Sequence, residues 1–358
     1  MSHTRPTTNR ARLWQGAFAL IVTVGLCALL FQMASPGDFH QALLEMPWGR
    51  LALGAAALSA MFAARVWKYN LALGDDRRPW AAMYSVLAVY SFLKNMVPFR
   101  VGELSLIYLF KRRFDIPAAQ STAVLYVGLA SDMVSLLFLG LASLVGLHVR
   151  SPSLLAARLS IATGAMLAAG VVLYYFAAPV LTWTMRALAP RIANRGDGTA
   201  ARRALDAFER FGSALVRYTT AELTVFLVLS GVTWVIRFAI IALILPAWDI
   251  RLGFIEVCAV TAMMSLLSSI PIQGLAGFGT MEAAWTLGFV ALGVPTARAV
   301  TVSFATHVAI VLMMFAHFVA GWVISLAGRG GTGDHERREK KRYAKAENRP
   351  LVESLDGV

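Results

Sequence analysis

Charge is scarce in this sequence of 358 residues: only 15% are Asp, Glu, Lys or Arg, where soluble domains carry about 25%. That shortage excludes an ordinary water-facing globule. Cysteine is nearly absent. The two present, Cys27 and Cys258, lie inside apolar runs, which excludes a disulfide framework and a cysteine-based metal site. Histidines are few, and His307 and His317 are too far apart to share one helix face as i, i+4 ligands would, so no metal is expected. No nucleophile, histidine and carboxylate gather in a water-facing stretch, so no enzyme is expected either. The segment "GLAGFGTME" contains a G-x-G, but no soluble strand precedes it and the dinucleotide spacing is missing. No cofactor follows from it. The acidic pair in "DDRR" (Asp75 to Arg78) reads as a solvated turn rather than a metal site.

What the chain does have is apolar length. Hydrophobic residues make up 58% of it, and several runs reach the roughly 20 residues that span a bilayer. Spans are expected near 14–34, 50–68, 118–147, 159–178, 220–246 and 297–327. The first follows Arg5, Arg10 and Arg12. Its apolar stretch is long and the "ASPG" after it is a poor cleavage site, so it reads as a retained anchor rather than a signal peptide. Two further stretches, 81–111 and 254–293, are apolar but broken. The breaks are "KNMVPFRVGE" (Lys94 to Glu103) and "SSIPIQGLAGFGTMEAAW" (Ser268 to Trp285).

The net charge of +13 is explained by topology, and nucleic acid is not an expected partner. If both broken stretches turn back, 24 of the 33 Lys and Arg fall in cytoplasmic segments, as the positive-inside rule requires. If 81–111 crossed once, Lys111, Arg112 and Arg113 would face outward with the arginine-rich loop that follows. Two short full crossings per broken stretch give the same sidedness and stay open at this point. The expected fold is an all-α polytopic membrane protein. It has about six spanning helices plus two re-entrant or broken helical hairpins, in an inverted-repeat architecture.

The parts are a basic cytoplasmic N-terminus (1–13), a first membrane repeat (14–147) with hairpin 81–111, and an outer loop (148–158). A second repeat (159–327) follows, with a cytoplasmic segment at 179–219 and hairpin 254–293, and then a basic, disordered cytoplasmic tail (328–358). Within 199–218, Leu205, Phe208, Leu215 and Val216 recur at helical spacing, which suits an amphipathic helix on the inner leaflet.

Broken backbone at membrane depth must be satisfied by protein or by water in a cavity. At the first break Pro98 can start a half-helix, with Arg100 and Glu103 three apart on neighbouring positions of one face and Gly102 between them. Lys94 and Asn95 precede it. At the second, Pro271 breaks the run, and Gly274, Gly277 and Gly279 let the backbone turn and approach closely. Thr280 can cap the next helix and Glu282 lies in its first turn. In a structural reading both glutamates merely satisfy helix N-termini while Arg100 neutralises Glu103. In a functional reading these groups form a polar centre for a charged headgroup or for protons, the usual use of ionisable residues at such depth. Asp132 and Arg237 lie mid-span, where a pair between them would lower the cost of both. Arg65 and Lys68 lie near a span end and read as snorkelling side chains. Glu256 reads as a cap on the second hairpin, and His307 as a hydrogen-bonded bundle residue.

"NMVPFRVGE" resembles the N-x-x-P-x-R-x-G-E signature of the lysylphosphatidylglycerol synthase transmembrane region family. "PIQGLAGFGTMEAAW", followed by "LGVPTARA", is similar to that family's second signature. The family includes the lipid-translocating half of multiple peptide resistance factors and stand-alone proteins. By motif match Asn95, Pro98, Arg100, Gly102, Glu103, Pro271, Gly277, Gly279 and Glu282 carry over, and Asp132 matches the family's carboxylate. Leu129 stands where the family often has Arg, and Leu275-Ala276-Gly277 replaces the common Pro-Gly-Gly. The aminoacyl-transferase domain of resistance factors is absent here, so lysyl transfer is not expected.

The resemblance and the charged breaks together imply a transporter or flippase-like protein of a bacterial inner membrane, with both termini cytoplasmic. It would move a phospholipid or other amphiphile with an anionic or zwitterionic headgroup. The translocation residues would be Lys94, Asn95, Arg100, Glu103, Asp132, Arg237 and Glu282. The alternative is an accessory membrane protein for a partner enzyme of lipid or envelope-glycan synthesis.

Overall fold

A computed structural model describes Val24, Ala28 and residues 36–97, 101–150, 154–193, 199–268 and 275–347. The expected first span at 14–34 therefore lies outside the described residues apart from Val24 and Ala28, as do Pro98, Arg100, Pro271 and Gly274. Among the described residues the chain forms eleven α-helices and no strand. We number them α1 (Pro36–Leu44), α2 (Trp48–Leu73), α3 (Trp80–Met96), α4 (Ser105–Phe114), α5 (Ala118–Arg150) and α6 (Leu154–Ala193). There follow α7 (Thr199–Val216), α8 (Thr220–Ile244), α9 (Phe254–Leu267), α10 (Thr280–Ala291) and α11 (Thr296–Glu347). Five stretches are long and apolar enough to cross a bilayer: Trp48–Leu73, Ala118–Arg150, Ala157–Phe176, Thr220–Trp248 and Thr296–Leu326. The protein is an all-α polytopic membrane protein.

Local chemistry sets the helix ends. Before α8, Thr219 and Glu222 form a reciprocal capping box: the Glu222 carboxylate accepts the Thr219 N–H at 2.8 Å, and the Thr219 hydroxyl accepts the Glu222 N–H at 3.3 Å. α4 ends at Asp115, which takes a left-handed conformation with φ 55° just before Pro117. There Lys111 donates to the Asp115 carboxylate at 2.5 Å, and this bond and charge hold the exposed carboxyl below its usual range. The α9 cap is Gly253, with no side-chain cap bond, so Glu256 does not cap the second hairpin as expected. α11 continues to Glu347, into the tail (328–358) expected to be disordered, whose last residues lie outside the described ones. The residues after Asp334 are rich in Glu, Lys, Arg and Ala, all strong helix formers.

The bundle has two ends, which contacts identify. At one, Arg50 on α2 donates to the Leu243 carbonyl of α8 at 3.1 Å, and Trp248 donates to the Ala42 carbonyl at 3.1 Å. At the other, the Tyr218 hydroxyl before α8 donates to the Ala72 carbonyl of α2 at 2.8 Å, and Arg113 donates to the Ser325 carbonyl of α11 at 3.0 Å. α2 and α8 therefore run antiparallel.

Both broken stretches are hairpins. Arg78, just before α3, donates to the Phe114 carbonyl at the end of α4 at 3.3 Å. The chain thus returns to the end from which α3 set out. Likewise Arg298, after α10, pairs with Asp249, before α9, at 3.0 Å. Deeper in this second hairpin Gly288 lies against Val260, so closely that a Cβ on the glycine would stand 2.6 Å from Val260 Cγ1. α9, α10 and α4 measure about 21, 18 and 15 Å at 1.5 Å per residue, short of the roughly 30 Å hydrocarbon core. The feet of the two hairpins stand at opposite ends of the bundle. Their tips meet inside it, where α3 packs on the short 3-10 turn Leu275–Gly277.

The core between these elements is apolar and aromatic: Phe62, Tyr69, Tyr90, Phe110, Phe226, Phe238 and Phe289 are all fully buried. Many large apolar side chains face outward, among them Phe138, Ile161, Val228 and Trp322, as a lipid-facing surface allows. α7 turns Leu215 inward and leaves Phe208 and Val216 exposed.

Candidate functional site

The tip of the first hairpin is held by its glycine. A Cβ at Gly102 would strike the Leu93 carbonyl oxygen and stand 2.7 Å from Lys94 Cα. Only glycine lets the chain after the break pass so close to α3. The close pass brings Lys94 Nζ to 3.9 Å from Glu103 Oε1. Asn95 turns its amide back onto the Ser91 carbonyl at 2.7 Å, and the Ser105 hydroxyl closes the turn on the Gly102 carbonyl at 2.6 Å.

The tip of the second hairpin uses three left-handed residues, Ala276, Gly277 and Gly279, with φ of 53°, 79° and 84°. α10 starts directly after them. Its first-turn carboxylate, Glu282, accepts the Gly279 N–H at 2.7 Å, and its other oxygen meets His307 Nδ1 of α11 at 2.5 Å. The expected cap, Thr280, instead donates its hydroxyl to the Gly277 carbonyl at 3.0 Å. The anion wins the cap position because the helix N-terminus carries partial positive charge. Glu282 and His307 are 1% and 5% exposed, and the His307 ring packs on Phe278 with centroids 4.5 Å apart.

Between the two tips lies a cavity of about 240 Å³, ample for a polar group with several waters. Lys94, Asn95 and Glu103 line it from the first hairpin and Gly277 and Met281 from the second. Asp132 of α5, Arg65 of α2, and Trp234 and Arg237 of α8 add to its polar wall, with the hydroxyl residues Ser91, Thr233, Ser265 and Ser268. Met61, Met133, Met313 and Met314 supply much of the apolar remainder, a flexible lining that adapts to irregular shapes. Glu282 does not line the cavity. It belongs to the buried clamp with His307, one layer behind Gly277.

The mid-span carboxylate has a different partner from the one expected. Asp132 Oδ1 lies 2.6 Å from Lys68 Nζ. Lys68 also donates to the Ser230 hydroxyl at 2.9 Å and points at the Gly128 carbonyl at 3.4 Å, while Ser230 donates to Ser131 at 3.0 Å. Lys68 is 2% exposed, so it does not snorkel. α2 continues to Leu73, which carries Lys68 inside the bundle, and a cation there must find an anion or neutral acceptors. Arg65, also expected to snorkel, turns inward and donates to the Ser91 hydroxyl at 2.9 Å. Arg237 has no carboxylate within ion-pair distance among the described residues. Its guanidinium lies 5.3 Å from the Trp234 ring centre, and the Trp234 N–H donates to the Asp132 backbone carbonyl at 2.9 Å. Arg237 still lies within electrostatic range of Asp132 and Arg65.

Of the expected site residues, the structure therefore brings Lys94, Asn95, Glu103, Asp132 and Arg237 around one cavity and sets Glu282 apart. The sequence reading missed Arg65, Lys68, Ser91 and Trp234. One signal was available: Arg65 and Lys68 are three apart on the same helix, and so on one face.

The family model for the lysylphosphatidylglycerol synthase TM region matches residues 16–317. No curated protein and no solved structure matches the chain.

Proposed function

The chain belongs to the lysylphosphatidylglycerol synthase transmembrane-region family, a membrane domain of the flippase type, and on that premise we propose that it moves a phospholipid or related anionic amphiphile between leaflets. One observation carries the reading: a charged cavity sits between the tips of two half-length hairpins whose feet stand at opposite ends of the bundle. The headgroup enters this cavity while its chains stay in lipid. Arg65, Lys94 and Arg237 hold the phosphate, as arginine and lysine do elsewhere. Glu103 and Asp132 balance charge between loads. Exposure alternates as one half of the bundle rocks against the other, the usual device of folds with opposed half-helices. No covalent step belongs to this reading. The setting is a bacterial inner membrane with both termini in the cytoplasm.

The test is reconstitution of the full chain in liposomes that carry headgroup-labelled phospholipids, with an impermeant quencher added outside. The protein is expected to make inner-leaflet label accessible faster than empty vesicles do. If no labelled phospholipid or polyprenyl-linked lipid moves while a known translocator works in parallel, the reading is overturned. A stable lipid-synthesis enzyme co-purifying under those conditions would favour an accessory role instead.

A further inference from the structure

The charges around the cavity do not cancel. Lys94 faces Glu103 at 3.9 Å, and Lys68 holds Asp132 at 2.6 Å. Arg65 and Arg237 then remain, and neither meets a carboxylate within ion-pair distance among the described residues. Arg65 bonds a neutral hydroxyl, Ser91, and Arg237 lies over an aromatic ring, Trp234. Neither partner cancels a charge. Among the described residues, four cations, Arg65, Lys68, Lys94 and Arg237, thus share two carboxylates in the bundle interior, an excess of two positive charges. Unpaired charge in low dielectric is costly. An excess that folding leaves in place is offset by whatever occupies the cavity.

We propose that the cavity is built for a lipid headgroup ending in a phosphate monoester, and that it disfavours aminoacylated headgroups. This rests on the transport reading above and narrows its cargo. A phosphodiester brings one negative charge and leaves the cavity positive. A terminal phosphate monoester brings about 1.5 to 2 at neutral pH, with three acceptor oxygens. It matches the excess and suits planar guanidinium donors from two helices. An aminoacylated glycerophospholipid presents an added ammonium, which Arg65 and Arg237 would repel. The methionines Met61, Met133 and Met313, which line the same cavity as these arginines, fit the glycerol and first methylenes of a lipid, so a lipid rather than free phosphate is the expected source.

The full chain in nanodiscs at pH 7.5 is titrated with phosphatidate, phosphatidylglycerol, lysylphosphatidylglycerol and inorganic phosphate, and binding is read by native mass spectrometry. The same lipids are then compared in the liposome assay. Phosphatidate is expected to bind at least about tenfold more tightly than phosphatidylglycerol, the order expected of one extra charge contact, with lysylphosphatidylglycerol weakest. Arg237→Gln and Arg65→Gln should each bring phosphatidate and phosphatidylglycerol towards parity, and Arg237→Lys should keep the preference. The lysine variant, and the use of two separate arginines, separate charge loss from misfolding.

Equal binding of the two lipids, a preference for the lysylated lipid, or a preference untouched by both glutamine variants overturns the proposal. So does binding of inorganic phosphate without phosphatidate, which would assign the cavity to a free anion. If phosphatidate binds selectively yet no lipid moves, the transport reading fails and the headgroup assignment stands.

Discussion

Replacing Asp132 with asparagine keeps the side-chain shape but removes the carboxylate that Lys68 grips and that Arg65 and Arg237 both feel. At 2.6 Å and an effective dielectric constant near 20, the Lys68–Asp132 attraction is about 6 kcal/mol before desolvation is counted. Burial offsets part of that in the intact pair. In Asp132→Asn, however, the desolvated ammonium stays behind with only neutral acceptors, the Ser230 hydroxyl and the Gly128 carbonyl, to set against it. Breaking one partner of a buried pair costs about 3–5 kcal/mol, and the two nearby arginines place this case towards the upper end. Lys68→Met should cost less, about 1–3 kcal/mol, because Asp132 keeps Arg65 and Arg237 within range. The double variant should recover part of the loss and be milder than the sum of the singles.

The assay is unfolding in mixed micelles by increasing dodecyl sulfate fraction, followed by tryptophan fluorescence, for the four members of this cycle. The order Asp132→Asn worse than Lys68→Met, with positive coupling, is the expected result. Equal and additive losses below about 1 kcal/mol would refute the claim that one carboxylate serves several cations.

Three further outcomes are expected. Gly102→Ala pushes a methyl group into backbone atoms of Leu93 and Lys94, which cannot step aside as a side-chain tip could. It should destabilise by about 1–3 kcal/mol in the same titration and slow lipid movement, and an unchanged midpoint would contradict the close pass at the first tip. Glu282→Ala removes the bond to Gly279 N–H and strands His307, a loss of about 2–4 kcal/mol from cap and buried hydrogen bond together. Glu282→Gln keeps an acceptor oxygen and should lose about half as much; equal losses would mean that the acceptor is not what matters. For sidedness, cysteines at the exposed residues Arg77 and Asp115, in a chain with Cys27 and Cys258 replaced, should both react with an impermeant reagent from the same face of the membrane. Labelling from opposite faces would show that α3 and α4 together make a crossing.

The hairpins were legible because their signals are local. Proline and glycine clusters inside otherwise apolar runs mark broken backbone, and the distribution of Lys and Arg favours returns over single crossings. That Glu282 satisfies the N-terminus of α10 is one of the readings the sequence allows, although Thr280 is the expected cap; that Gly102 presses against α3 is visible only in the structure. The partners of the charges were not legible, because pairing across helices depends on where each helix ends. A span drawn to residue 68 puts Lys68 at a boundary, where a long side chain reaches water. The helix in fact runs to Leu73, about 7 Å further, and the same lysine is then enclosed and claims Asp132. Had Lys68 reached water, Asp132 would have been free to neutralise Arg237, and the excess around the cavity would fall to one charge, which a phosphodiester matches. With Lys68 inside, the carboxylate is occupied and Arg237 is left to the cargo. A displacement of five residues in one helix end thus changes the charge of the ligand that the cavity favours, although every ionisable side chain around it is the same.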